Sequence, residues 1–166
     1  MFQIGEYIMY GAKGVCEVME VTKMHREGIP EDRLYYVLRP LNVQGSRVYT
    51  PVDNDKVVMR TLITPQEVDE IIESIPEITE LEVPSEKLRE QTYKDCLRTG
   101  DCREFMRVIK TLRERKRDRI ANGKKVTATD ERYLKQAEET LYTEFAVLLK
   151  MPRENIPAYI NRKLEA

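Results

Sequence analysis

The hydrophobic positions of this chain come in two patterns. Up to about residue 62 they form short β-prone runs bounded by glycine, proline and asparagine, and beyond Ile63 they recur at helical spacing. Tyr7-Ile8-Met9-Tyr10 reads as a first strand, turned by Gly11-Ala12-Lys13-Gly14 into a second, Val15 to Val21. Gly28 and Pro30 mark a loop before Arg33 to Arg39, which Pro40 ends; Asn42 to Gly45 turns the chain into Arg47 to Thr50, and Val57 to Arg60 makes a fifth strand. Five short antiparallel strands are expected to curl into a small barrel that hides most of the sheet edge.

The helical half carries its own punctuation. Thr64-Pro65-Gln66-Glu67 sets an N-cap, a first-turn proline and an N3 acid in order, opening a helix that ends before Pro76. Pro76 to Pro84 reads as a linker, and Ser85 as the cap of a second helix to about Arg98. After Gly100, Asp101 with Glu104 opens a third helix to about Ile120, stopped by Asn122-Gly123. Thr127 to Asp130 opens a fourth, to about Lys150, and Asn155 to about Leu164 a short last one. The expected class is therefore α+β: a small barrel over 1–62 and a helical bundle over 63–166.

Composition fits a highly charged globular protein, with 41% hydrophobic and 34% charged residues among 166. No apolar run approaches the roughly 20 residues of a membrane span. Nothing at the N-terminus suggests export, and Cys16, Cys96 and Cys102 are too scattered for a disulfide framework, so the cytoplasm is the expected compartment. The net charge of −1 conceals segregation. Between Arg103 and Lys125 ten basic residues face three acids, a local +7 that leaves −8 elsewhere. Such a field suits a polyanionic partner, although a solvated helix face has the same composition.

Catalytic chemistry finds little support. His25 is the only histidine and lies in a polar loop beside Arg26 and Glu27, which removes any two-histidine metal site. Cys96 and Cys102 are spaced for packing rather than for zinc or redox chemistry, and no Walker loop or dinucleotide fingerprint is present. The acids are dispersed, so no cofactor, no metal and no enzymatic activity are expected. The third helix is more informative: Phe105, Val108, Ile109 and Leu112 fall on one face, with Arg103, Arg107, Lys110 and Arg117 almost opposite and Arg113 at the edge. Lys116 and Arg119 lie beyond Leu112 on the apolar side, and Lys124 and Lys125 extend the basic end. A basic stripe of this kind can follow a phosphate backbone. On the barrel, Tyr35, Tyr36, Arg47 and Tyr49 form a polar-aromatic set of the kind enriched at protein interfaces, and equally of the kind found half-buried in barrels.

The order of these features resembles the CarD/CdnL family. Phe2, Gly5-Glu6-Tyr7-Ile8-Met9-Tyr10, Gly14-Val15, Tyr35-Tyr36-Val37-Leu38 and Val48 with Pro51 resemble the family's barrel, a module similar to the polymerase-interacting domain of the transcription-repair coupling factor. Leu97 to Asp101 and Val108 to Leu112 resemble its Leu-x-Ser-Gly-Asp and Val-Val-Arg-Asp-Leu stretches. Val126-Thr127, Asp130, Leu134, Ala137, Leu141 and Glu144-Phe145-Ala146 resemble the helix that follows. The resemblance runs collinearly from about residue 2 to 148, leaving Pro152 to Ala166 outside it.

The resemblance implies a Tudor-like barrel that binds the β subunit of bacterial RNA polymerase, and a helical domain that touches promoter DNA at the upstream edge of the melted region. It also implies a regulator that stabilises the open complex without catalysis or cofactor. Lys110 and Arg132 fall at basic positions of the family pattern, which adds Arg132 to the expected DNA-contacting set of Arg107, Lys110, Arg113, Arg117, Lys124 and Lys125. Arg47, Tyr49 and Tyr35 are the expected polymerase-contacting set. Two positions depart from the pattern: Tyr49 stands where the family's polymerase-facing strand carries Arg, and the family's Trp wedge is absent, with Glu86 near its place. A carboxylate there is expected to repel phosphate. The alternative is an interaction adaptor with the same barrel and no DNA contact. A monomer associated with the nucleoid only through polymerase is expected.

Overall fold

The computed structural model describes residues 1–165. Five antiparallel strands, β1 (Tyr7–Tyr10), β2 (Gly14–Lys23), β3 (Leu34–Pro40), β4 (Val48–Pro51) and β5 (Met59–Thr61), form one sheet in the order β4-β3-β2-β1-β5. Each lies within two residues of the run that predicts it. β2 is long enough to pair with β1 through Tyr7↔Glu17 to Tyr10↔Gly14 and with β3 through Cys16↔Pro40 to Lys23↔Leu34. Its register with β3 shifts between Val18 and Glu20, an irregularity that bends a strand and increases its twist.

Ile8, Cys16, Val18, Tyr36 and Leu38 make a core on one face of this sheet, with Phe2, Tyr10, Val21, Val48, Val52 and Met59 packed against it. Every one of these residues comes from the first 59, so the sheet buries this face by curling on itself, as a Tudor-like barrel does. Phe2 closes one end: its N–H donates to the Tyr36 hydroxyl at 3.0 Å and its ring centroid lies 5.6 Å from that of Tyr36. The curl stops short of closure. No ladder among the described residues joins β4 to β5, so both keep one unpaired side.

Five α-helices follow: α1 (Pro65–Ser74), α2 (Arg89–Arg98), α3 (Cys102–Ala121), α4 (Ala128–Leu149) and α5 (Ile156–Glu165). Three of the predicted caps form, with the N–H of Glu67 donating to Thr64 Oγ1 at 3.1 Å, that of Arg103 to Asp101 Oδ1 at 2.8 Å and that of Asp130 to Thr127 Oγ1 at 3.1 Å. The fourth does not. Ser85 offers its carbonyl, not its side chain, to Leu88 N–H in a tight turn over Glu86–Leu88, and α2 begins only at Arg89. The supposed linker is also firmly placed. Pro76 sits inside a 3-10 turn continuing α1, and the extended residues after it lie along α3, where Leu81 N–H donates to Thr111 Oγ1 at 2.9 Å.

The predicted apolar face of α3, Phe105, Val108, Ile109 and Leu112, is buried with Tyr93, Ala137, Leu141, Phe145 and Ile156. Met9 and Val15 belong to this same core. Because successive side chains of a strand point to opposite faces, Ile8 and Cys16 enter the barrel core while their neighbours Met9 and Val15 enter the helical one. The β1–β2 hairpin is thus buried on both sides and common to both halves.

A buried ion pair seals this junction. Glu144 of α4 is 0% exposed, and both its oxygens accept from Arg60 of β5 at 2.8 Å. The Ile63 N–H donates to Oε2 at 3.0 Å and the Cys102 thiol to Oε1 at 3.0 Å. Arg60 Nε donates to the Gly100 carbonyl at 2.7 Å. Burial alone would lower the pKa of Arg60; the hydrogen bonds and charge of Glu144 outweigh it and raise the value. Gly100 is needed at that point, since its φ of +68° is left-handed and a Cβ there would stand 2.9 Å from Val58 Cγ1.

Removing one partner of such a pair leaves a charge without its counterion. Glu144→Gln is therefore expected to cost about 3 kcal/mol in urea denaturation of the full chain. A loss below about 1 kcal/mol would mean that the apolar junction holds without the ion pair.

Candidate functional site

Among the expected polymerase-contacting residues, the β4 edge displays two. Tyr49 is 53% exposed and Arg47, just ahead of the strand, is exposed as well. Tyr49 pairs with Val37 on β3, and the other side of β4 has no partner strand. Tyr35 is placed differently. It is 8% exposed, opposite Pro51, with the Arg33 guanidinium 5.8 Å from its ring centroid, so little of it is open to a partner.

The basic helix separates into engaged and unengaged cations. Lys110 Nζ donates to the carbonyls of Ile75 at 3.0 Å and Ile78 at 2.7 Å, satisfying the end of α1 and its 3-10 extension. Arg107 donates to the Thr79 carbonyl and pairs with Glu104 at 3.2 Å. Arg113 bonds Glu138 at 2.9 Å and the Tyr142 hydroxyl at 2.9 Å. Arg132 bonds Glu90 at 2.9 Å and lies over the Tyr133 ring at 5.1 Å. Four of the seven expected DNA-contacting residues therefore have structural partners within the chain. Arg117, Lys124 and Lys125 are exposed, and none of them joins an ion pair among the described residues.

Of the two lysines, Lys124 lines a groove of about 410 Å³ with Leu81, Arg89, Thr111, Arg115 and Arg119, and Glu80 and Asp118 are also present. Arg89 and Arg115 were not legible as site residues. Arg115 Nε donates to Asp130 Oδ2 at 2.6 Å, and Asp130 is 3% exposed. Arg89 donates Nη1 to the Tyr93 hydroxyl at 3.0 Å, which donates in turn to Asp130 Oδ1 at 3.1 Å. Glu86 also behaves unexpectedly. Arg89 holds it through three contacts of 2.9 to 3.2 Å, and Arg115 Nη2 stands 3.6 Å away. The Arg89 hydrogen bonds, with the charges of Arg115 and Arg119 behind them, keep the Glu86 carboxyl below the usual range. Its charge is locally compensated rather than presented bare to an approaching phosphate.

The remaining chemistry-bearing residues are structural in placement. Burial pushes the Cys16 thiol up to about 12 and that of Cys96 to about 11, and it raises Cys102 too, so all three stay protonated and weakly nucleophilic. His25 lies exposed in the β2–β3 loop. Among the described residues no cluster of His, Cys, Asp and Glu is arranged to hold a metal ion, and no helix is long and apolar enough to cross a membrane.

The division between engaged and unengaged cations has a measurable consequence. Lys110→Met keeps the aliphatic stem but frees two carbonyls, and is expected to lower stability by about 1 kcal/mol. Arg117→Met is expected to change it by less than about 0.5 kcal/mol. Equal effects in urea denaturation would contradict the assignment.

Two family models match the sequence: that described as the CarD-like/TRCF RID domain over residues 2–63, and that described as the CarD C-terminal domain over residues 70–161. No curated protein matches the chain. The second match extends through Asn161 of α5, so most of the tail that lay outside the motif resemblance falls within the family's C-terminal domain. A self-curled sheet with a free β4 edge carries the first match and a bundle with a basic rim carries the second, and the chain belongs to the CarD-like family of RNA polymerase-interacting transcription factors.

Proposed function

We propose that the protein docks on the β subunit of RNA polymerase through β4 and sets the basic end of its helical half against promoter DNA, stabilising the open complex. The observation that carries this reading is the unpaired side of β4 with Arg47 and Tyr49 exposed at it. An edge strand of four residues has backbone groups to offer a partner strand, and tyrosine and arginine are the side chains that most often anchor an interface. Tyr35, on the same face of the sheet as Tyr49 but nearly buried, contributes by packing rather than by direct contact. Residues 1–62 then act as the docking domain and residues 63–166 as the DNA-facing one.

Contact to DNA falls to the cations without internal partners, Arg117, Lys124 and Lys125. Arg107, Lys110, Arg113 and Arg132 hold the helical half together and contribute mainly to the field. Backbone contacts of this kind carry no sequence information, so the effect follows polymerase rather than a DNA sequence. The protein works in this reading as a cytoplasmic monomer without cofactor, and it catalyses no reaction. A second reading, an adaptor that binds polymerase without DNA, draws support from the four engaged cations.

Full-length protein carrying Arg47→Glu and Tyr49→Ala is expected to bind the isolated β subunit at least about tenfold more weakly than the unaltered chain. Unchanged binding would remove β4 from the interface. Reversing Arg117, Lys124 and Lys125 together should flatten the dependence of DNA binding on salt, by about 0.9 in log–log slope per phosphate lost. A polymerase complex whose DNA contact and salt dependence are untouched by that reversal would favour the adaptor.

A further inference from the structure

We propose that the groove between α2, α3 and the extended segment before α2 is a phosphate-binding site, and that the Glu86 carboxylate, held beside it on Arg89, competes for its arginines in the free protein. The inference rests on the reading of the helical half as nucleic-acid-facing, and it assigns the groove a specific chemistry. The ligand class is the phosphodiester backbone of a nucleic acid.

The two arginines at the centre of the groove are fixed from behind. Buried Asp130 takes Arg115 directly at 2.6 Å and Arg89 through the Tyr93 hydroxyl. These bonds use one N–H of each guanidinium and leave the others for an anion, and both arginines line the groove. A guanidinium held in this way has lost its rotamer freedom before any ligand arrives, which is what a preorganised anion site requires. The Nε and Nη2 edge of Arg89 is a fork, and it already grips an anion: Nε lies 3.2 and 3.1 Å from the two Glu86 oxygens, and Nη2 lies 2.9 Å from Oε1. The same fork accepts carboxylate and phosphate alike.

Glu86 itself is weakly anchored. Its side chain is 71% exposed, it lies on a three-residue turn, and its polar partners are the arginines of the groove. Exchanging it for a phosphodiester replaces one single negative charge by another in an open, wet site, so the exchange involves little change in burial or charge. Tethering sets the selectivity. A carboxylate three residues from its arginine competes at an effective concentration on the order of millimolar. An isolated phosphate below that concentration cannot displace it. A nucleic-acid backbone can, because adjacent phosphates reach Arg119 and Lys124 at the same time. Glu80 and Asp118 on the groove limit how many phosphates it admits. Glu86 thus acts as a filter that favours polyanions over single anions.

The test compares the full-length protein with Glu86→Ala and with Glu86→Ala combined with Arg119→Ala. Among the described residues the Arg119 side chain makes one hydrogen bond, from Nε to the Lys125 carbonyl at 2.8 Å, and Glu86 is on the surface, so both variants are expected to fold. Inorganic phosphate is titrated while the arginine Nε–H resonances are followed by NMR. Glu86→Ala should show a saturable shift at about tenfold lower phosphate than the unaltered chain, and the second substitution should weaken it. On duplex DNA of arbitrary sequence, Glu86→Ala should bind about fivefold more tightly, with a salt slope steeper by about 0.9 for one added phosphate. DNA affinity and phosphate response both unchanged by Glu86→Ala, in a protein that still binds DNA, would overturn the site and leave the nucleic-acid reading standing. Phosphate binding unmasked by Glu86→Ala in a protein that binds no DNA would keep the site and overturn that reading.

Discussion

Two halves with different secondary structure share one junction, and the junction depends on a buried charge finding its counterion. Glu144 has no access to solvent, so its carboxylate oxygens need donors from the protein, and Arg60, Ile63 and Cys102 supply them from both sides of the boundary. The positions of β5, the start of α3 and the middle of α4 are fixed relative to one another by that requirement. Apolar contact between Met9, Val15 and the helices supplies the area, while the ion pair supplies direction, because a bidentate guanidinium–carboxylate contact tolerates little rotation. Asn42 adds a second polar tie, accepting from Thr143 and Arg153 at 2.9 and 2.8 Å. The exposed β4 edge and the basic rim are consequently parts of one body. In the proposed function this matters, since a contact to DNA is useful only if polymerase binding delivers it to a fixed place.

The same constraint, charge seeking a partner, decides which basic residues face outward. The excess of +7 between Arg103 and Lys125 reads as a continuous stripe, yet much of it is absorbed by carbonyls and acids of neighbouring segments. Lys110 and Arg107 fasten the chain between α1 and α2 onto α3, which turns a stretch lacking regular structure into a fixed wall of the groove. What remains outward is concentrated at the C-terminal end of α3 and the loop after it. The field there is compact, set beside acids, and suited to a few phosphates rather than a long track.

Much of the fold was legible because it is encoded locally. Strand runs such as Tyr7–Tyr10 and the cap residues Thr64, Asp101 and Thr127 act over a few positions, and the apolar face of α3 repeats at a fixed period. Ser85 misled because a cap residue and a turn residue look alike in sequence, and here Glu86 is drawn back to Arg89. The site was less legible. Arg60 and Glu144 are 84 residues apart, and Arg115 and Asp130 lie on different helices, so no periodicity links them. Asp130 read only as the acid of a capping turn, which it is, while its side chain also serves Arg115. Whether a surface arginine is committed to a neighbour is decided by tertiary packing, and a helical wheel contains none of that information. The family resemblance placed the barrel before the helical domain, as the two family matches do, but not which of the helical half's cations are already partnered.

Barrel and helices that share a core and a buried ion pair should unfold as one cooperative unit. Scanning calorimetry of the full chain tests it most directly. A single transition, with calorimetric and van't Hoff enthalpies equal, is the result expected when the hairpin core and the Arg60–Glu144 pair are shared. Two resolved transitions, or a van't Hoff enthalpy well below the calorimetric one, would show that the halves unfold independently and that docking does not fix the position of the basic rim.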